Sequence, residues 1–123
     1  MGTCAVCHGP EGRGLEGQFP PLAGSEWVLA PGPNRLIRIA LNGLAGPIKV
    51  LGRDFNSAEP AWRDVLSDEE IAAVLTYVRT NGKWGNTAAP VFPAQVKAIR
   101  EATRSRTGPW TAAELQAIPV RGD

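Results

Sequence analysis

Apolar residues recur at helical spacing most clearly in Ser67–Thr80. There Ile71, Val74, Leu75 and Val78 fall three and four apart, which predicts a helix with one buried face. Ser67 and Glu70 form a capping-box pair, Asp68 and Glu69 suit the positive end of the helix dipole, and Asn81-Gly82 supplies a stop. Residues 34–42 predict a shorter helix, with Asn34 as N-cap and Gly43 just past the end. Leu36, Ile37, Ile39, Ala40 and Leu41 give it an apolar side, and Arg35 and Arg38 are expected in solvent. Between these helices, residues 46–56 predict two short extended pieces about Gly52, a small hairpin. Beyond residue 86, Pro93 opens a helix to about Thr103, with Val96 and Ile99 inward and Lys97, Arg100, Arg104 and Arg106 outward. Thr111 with Glu114 caps a last short helix that ends before Pro119. Residues 9–26, dense in glycine and proline, read as an irregular loop.

The chain has 123 residues, enough for one domain or one small domain with an extension. Its 13 basic and 12 acidic residues nearly cancel, which argues against a nucleic-acid partner or an electrostatic membrane anchor. No apolar run reaches the length of a membrane span, and no signal peptide is evident. There are no internal repeats or low-complexity runs.

The candidate chemistry lies at one end. Cys4-Ala5-Val6-Cys7-His8 holds both cysteines and the single histidine of the chain. Cys-x-x-Cys-His is the attachment signature of c-type haem: each thiol adds to a vinyl group as a thioether, and the adjacent imidazole binds the iron. Zinc would want four ligands, and there is no second Cys/His pair. A redox Cys-x-x-Cys would follow a strand, whereas only three residues precede Cys4. A disulfide this short would be strained and would leave His8 without a role. Covalent haem c, one per chain, is the cofactor the residues support. Its attachment takes place outside the cytoplasm, so a periplasmic or otherwise extracytoplasmic setting and a trimmed mature chain are expected.

With His8-Gly-Pro-Glu-Gly-Arg-Gly and Phe19-Pro-Pro-Leu-Ala-Gly24 in view, the sequence resembles a class I cytochrome c. The phrase Leu66-Ser-Asp-Glu-Glu-Ile-Ala-Ala-Val-Leu-Thr-Tyr-Val-Arg79 also resembles that family's C-terminal helix, which packs near the haem edge. The resemblance implies an all-α small cytochrome c fold around one covalent haem, with the hairpin on the distal side and a C-terminal helical extension. It implies that the Pro20 carbonyl accepts a hydrogen bond from His8 Nδ1–H, which orients the ring and strengthens the ligand. Leu22 would touch the haem face and Trp62 would also bind the cofactor, and one of Arg35 and Arg38 meeting a propionate is the alternative to solvation. The likeness spans residues 4–86, giving a haem domain at 1–86 and an extension at 87–123 that covers core surface. Similar tails occur on cytochromes that serve β-propeller dehydrogenases, so a redox partner protein of that kind is expected.

Two departures stand out. Family members carry a helix ahead of the haem motif, crossing the C-terminal helix; here Met1-Gly2-Thr3 alone precede Cys4. The expectation is either a trimmed chain, or that residues 93–104 or another chain take over the face around Val74 and Val78. Second, where the family has a methionine before proline as distal ligand, this chain reads Asn56-Ser-Ala-Glu59-Pro60-Ala-Trp62, and its sole methionine is Met1. Glu59 is open to several roles: a carboxylate ligand to iron, a side chain that swings away to leave water or an open site, a desolvated acid above the iron, or a solvated loop residue. In so regular a segment it also reads as a deliberately introduced substitution. An electron-transfer module follows from the resemblance. An enzyme with open iron and Glu59 as acid, activating peroxide or transferring a carbene or nitrene, follows from the missing methionine, as does a diatomic-gas-binding module.

Overall fold

The computed structural model describes residues 24–81 and 86–119. Cys4, Cys7, His8, Pro20, Leu22 and the Gly82 stop lie outside the described residues. The described chain runs α1 (Asn34–Asn42), β1 (Leu44–Val50), β2 (Arg53–Glu59), α2 (Asp68–Thr80), α3 (Pro93–Ala102) and α4 (Ala112–Gln116). It is mostly helical with one small antiparallel hairpin, as the sequence implies.

α2 forms where its pattern places it. Ser67 Oγ accepts the Glu70 N–H at 3.1 Å while Glu70 Oε1 accepts the Ser67 N–H at 2.9 Å, so the capping box closes both ways. Ile71, Leu75 and Val78 are buried and Val74 is half-buried. α3 lies against this helix, and Val96 and Ile99 share one cluster with Ile71, Ala72, Leu75, Val78, Leu36, Ile37 and Leu41. The 93–104 segment therefore helps to bury Val78, while Tyr77 on the outer side of α2 remains 46% exposed.

α1 spans the expected residues, but its cap differs. Pro33 is the N-cap, with no side-chain bond, and Asn34 is buried inside the helix, where its Nδ2 donates to the Pro119 carbonyl at 3.2 Å. A long-range partner outcompeted the local capping bond. Arg35 is likewise not in solvent: Nε and Nη2 donate to the Ile118 carbonyl at 3.0 and 2.8 Å, and its guanidinium lies 5.7 Å from the Trp27 ring centroid. Arg38 is half-buried, and Nη1 donates to the Asn34 carbonyl at 3.2 Å. The C-terminal extension thus closes over the start of α1.

The hairpin is longer than its pattern suggests, pairing Leu44 with Glu59 at one end and Val50 with Arg53 at the other. Leu51 (φ 52°) and Gly52 (φ 76°) form the two-residue turn, both with positive φ as the I′ type of hairpin loop requires. The Leu51 N–H is held by Glu26 Oε1 at 2.9 Å. Ile48, Val50 and Phe55 are buried with Leu44, Ile39, Trp110 and Leu115 in a second cluster. The extension also lengthens the sheet: Ala45 N–H donates to the Trp110 carbonyl at 2.9 Å and Trp110 N–H to the Gly43 carbonyl at 3.0 Å.

Two charged residues expected to point outward from the extension do not. Arg100 is half-buried and bonded to Asp68, and Arg106 is half-buried, bonded to Glu114 at 2.7 Å and stacked 3.6 Å from the Trp110 ring centroid. Lys97 and Arg104 are exposed as expected.

Candidate functional site

Position 59 sits where three elements meet. Glu59 closes β2 opposite Leu44 and is half-buried, so it belongs to a strand end and not to a solvated loop. Gly43, at φ 83° and ψ 178°, turns the chain from α1 into β1 in a region essentially closed to side chains. Its Cα faces the Glu59 carbonyl so closely that a Cβ there would collide with that oxygen and press on Pro60 and Ala61 backbone at 3.2 and 3.3 Å. Glycine is needed at residue 43 for both reasons.

The segment after Glu59 docks on the end of α1. Trp62 N–H donates to the Ala40 carbonyl and Arg63 N–H to the Leu41 carbonyl, both at 3.0 Å. The Trp62 carbonyl in turn accepts from Val65 N–H at 3.1 Å and Leu66 N–H at 2.9 Å, which folds residues 62–66 into a turn leading to α2. Trp62 is half-buried, and Val65 is 64% exposed. The structure therefore brings Glu59 and Trp62 into one short docked segment; the remaining expected site residues, Cys4, Cys7, His8, Pro20 and Leu22, lie outside the described residues.

Several polar residues that hold this region were not legible as functional. Arg63 Nη2 donates to Asn42 Oδ1 at 2.8 Å, Thr103 Oγ1 at 2.6 Å and the Thr103 carbonyl at 3.1 Å, and Nη1 donates to the Arg100 carbonyl at 3.2 Å. Arg63 Nε is buried with no partner among the described residues. Burial, and after it the Arg100 cation, draw the Arg63 guanidinium below its usual range, with Asp64 opposing. No motif marks Arg63 or Asn42. Arg79 is different. It is 2% exposed, with Nε bonded to the Ala89 carbonyl at 2.8 Å and Nη1 to the Val28 and Ala30 carbonyls at 3.1 Å, and desolvation lowers its pKa. Its place one turn after Leu75 and two after Ala72 puts it on the buried stripe, a signal that was available in the spacing. Asn86, fully buried, joins the same corner: Nδ2 donates to the Val78 carbonyl and Oδ1 accepts the Gly24 N–H, both at 2.8 Å.

Among the described residues no three His, Cys, Asp or Glu side chains gather as a metal site. A shallow groove on the outer face of α2, lined by Glu69, Ala72, Ala73, Thr76, Tyr77, Val91 and Pro93, is largely apolar and carries one acid at its rim. No described helix is long and apolar enough to cross a membrane.

Comparison with known proteins supplies the family. The model of the family described as Cytochrome c matches residues 1–82. Cytochrome c-552 of Thermus thermophilus is 40% identical over 105 residues, which cover 79% of this chain and 78% of that one. The alcohol dehydrogenase (quinone), cytochrome c subunit of Gluconobacter oxydans (strain 621H) is 36% identical over 87 residues, 70% of this chain and 17% of that longer subunit. Its namesake from Komagataeibacter europaeus is 34% identical over 99 residues, 80% of this chain and 20% of the subunit. The chain belongs to the cytochrome c family and is a monohaem c-type cytochrome, a family defined by covalently bound haem c.

Proposed function

We propose that this chain is an electron-transfer cytochrome whose distal haem position is held by Glu59. The carrying observation is that Glu59 ends a strand, half-buried, on a backbone fixed by Leu44, Gly43 and the end of α1. The donor set fits the group: two thiols with two residues between them, an adjacent imidazole, and apolar Trp62, Val65 and Leu66 following position 59. When bound, haem c supplies the one-electron ferric/ferrous couple. Cys4 and Cys7 would fix the macrocycle by thioether bonds, and His8 would bind the iron, with the Pro20 carbonyl as the partner the family resemblance assigns to its Nδ1–H. Leu22 and Trp62 would add apolar contact to the bound group.

Replacing a thioether by a carboxylate removes the ligand that favours ferrous iron. Ligand identity moves haem potentials over roughly 0.8 V, so with Glu59 in that place the potential would lie well below that of a Met-ligated relative. Haem attachment outside the cytoplasm makes this an extracytoplasmic protein. The likeness to dehydrogenase cytochrome subunits supports a dehydrogenase as redox partner. Residues 1–86 form the haem domain and 87–123 an extension; contacts from Trp110, Ile118 and Pro119 to β1 and α1 support the reading that the extension packs on the core.

The absent methionine supports a second reading, an open iron with Glu59 as distal acid. Optical spectra of the ferric and ferrous protein across pH, beside Glu59→Met, test both. Appearance of the weak near-infrared sulfur-to-iron band in Glu59→Met alone places position 59 over the iron. Low-spin iron before the substitution then supports the carrier, and high-spin iron with fast peroxide turnover lost in Glu59→Ala supports the enzyme. A Glu59→Met spectrum identical to that of the parent overturns the distal assignment.

A further inference from the structure

We propose that the C-terminal extension is the positioning device for the distal segment, through a reciprocal latch between Arg63 and Arg100. The proposal rests on position 59 being distal. No residue of 60–66 is fully buried, although Leu66 packs against the core at the end leading to α2. Pro60, Ala61, Asp64 and Val65 are exposed, and the segment contains no helix or strand. Backbone bonds of Trp62 and Arg63 tie it to α1, and side-chain bonds from α3 add a second hold. Arg100 Nη1 donates to the Arg63 carbonyl at 2.6 Å, Nη2 to the Leu66 carbonyl at 2.9 Å and Nε to Asp68 Oδ1 at 2.7 Å. One planar guanidinium thus grips three points along the approach to α2, a geometry lysine cannot copy. Arg63 answers with Nη1 on the Arg100 carbonyl and Nη2 on Thr103, at the end of α3, and on Asn42, at the end of α1.

The consequence follows from the topology. Glu59 is pinned on its N-terminal side by the hairpin register and Gly43. On its C-terminal side the chain is secured by the backbone bonds of Trp62 and Arg63 to α1, and then by the latch. Residues 59–63 are therefore a short strap clamped at both ends, and the α3 side of one clamp lies in the extension, beyond the residues the family model matches. Arg63 and Arg100 are positioning residues: they act on position 59 through the strap and not by contact with haem.

The test compares Arg63→Leu, Arg100→Leu and Arg100→Lys in the haem-loaded protein, with Glu114→Gln as a control that breaks an ion pair of the extension away from the strap. Amide hydrogen exchange of residues 61–66 reads the latch without reference to haem chemistry. It should rise about tenfold or more in both Leu variants and in Arg100→Lys, and stay unchanged in Glu114→Gln. Carbon monoxide binding to the ferrous protein and the ferric spin state read position 59. Binding should accelerate about tenfold and the high-spin fraction should grow as the strap loosens. Unchanged exchange in folded Arg100→Leu overturns the latch. Faster exchange with carbon monoxide kinetics and spin state unaltered overturns its link to the haem. If Glu59→Met leaves the spectrum untouched while exchange still rises, the failure lies in the distal assignment, and the proposed link to haem falls with it.

Discussion

Gly43→Ala is the sharpest test of how this fold sets position 59. Two costs add. At φ 83° and ψ 178° the backbone lies where a side chain is strained by about 1–3 kcal/mol. The new Cβ also meets the Glu59 carbonyl oxygen and the Pro60 and Ala61 backbone, none of which can swing aside as a side chain would. Overpacking against such atoms costs about 1–3 kcal/mol. The sum is about 4 kcal/mol. At about 2.1 cal/mol/K of unfolding entropy per residue, each kcal/mol lowers the melting temperature of a chain this size by about 4 °C, so the shift is about 15 °C. Gly46→Ala is the matched control: Gly46 has φ 91° but nothing within 4 Å of its would-be Cβ. It carries only the strain, about 1–3 kcal/mol, and should melt about 4–12 °C lower. Thermal unfolding followed by circular dichroism measures the difference between the two, and the ferric spectrum should change in Gly43→Ala alone. Equal melting shifts, with neither spectrum altered, would refute the claim that Gly43 sets the place of Glu59.

Other outcomes follow from the packing and the charges. Ser67→Ala removes one half of the α2 capping box and should cost about 1 kcal/mol in urea unfolding, with no effect on the haem spectrum. Ile99→Ala hollows the contact between α2 and α3 at a side chain 1% exposed; about 2–5 kcal/mol of stability should be lost, measured the same way. Glu114 is held below the usual carboxylate range, first by its hydrogen bond from Arg106 and then by the Thr111 N–H. A lowered folded-state pKa stabilises fully above the unfolded value of about 4.3 and is lost as pH falls through the folded value. Acid unfolding of Glu114→Gln should therefore lack that part of the pH dependence, visible as a flatter urea midpoint below about pH 4.3.

The sequence by itself determined the local pieces and the cofactor chemistry. Ser67 with Glu70 and Thr111 with Glu114 close as capping boxes because each bond spans one helical turn, so the signal and the structure are the same few residues. Val96 and Ile99 lie inward for the same reason: their spacing already states which face is buried. Cys4, Cys7 and His8 name haem c through adjacent functional groups. The tertiary structure decided where long polar side chains end. Asn34 left its capping role for Pro119, Arg35 reached Ile118, and Arg63 and Arg100 exchanged bonds with each other's carbonyls across 37 positions of sequence. Periodicity is blind to such choices. A flexible side chain several ångströms long can satisfy its donors in solvent or on any carbonyl that folding brings near. Only the packed chain selects among them, and in this protein that selection ties the C-terminal extension to the strap beside Glu59.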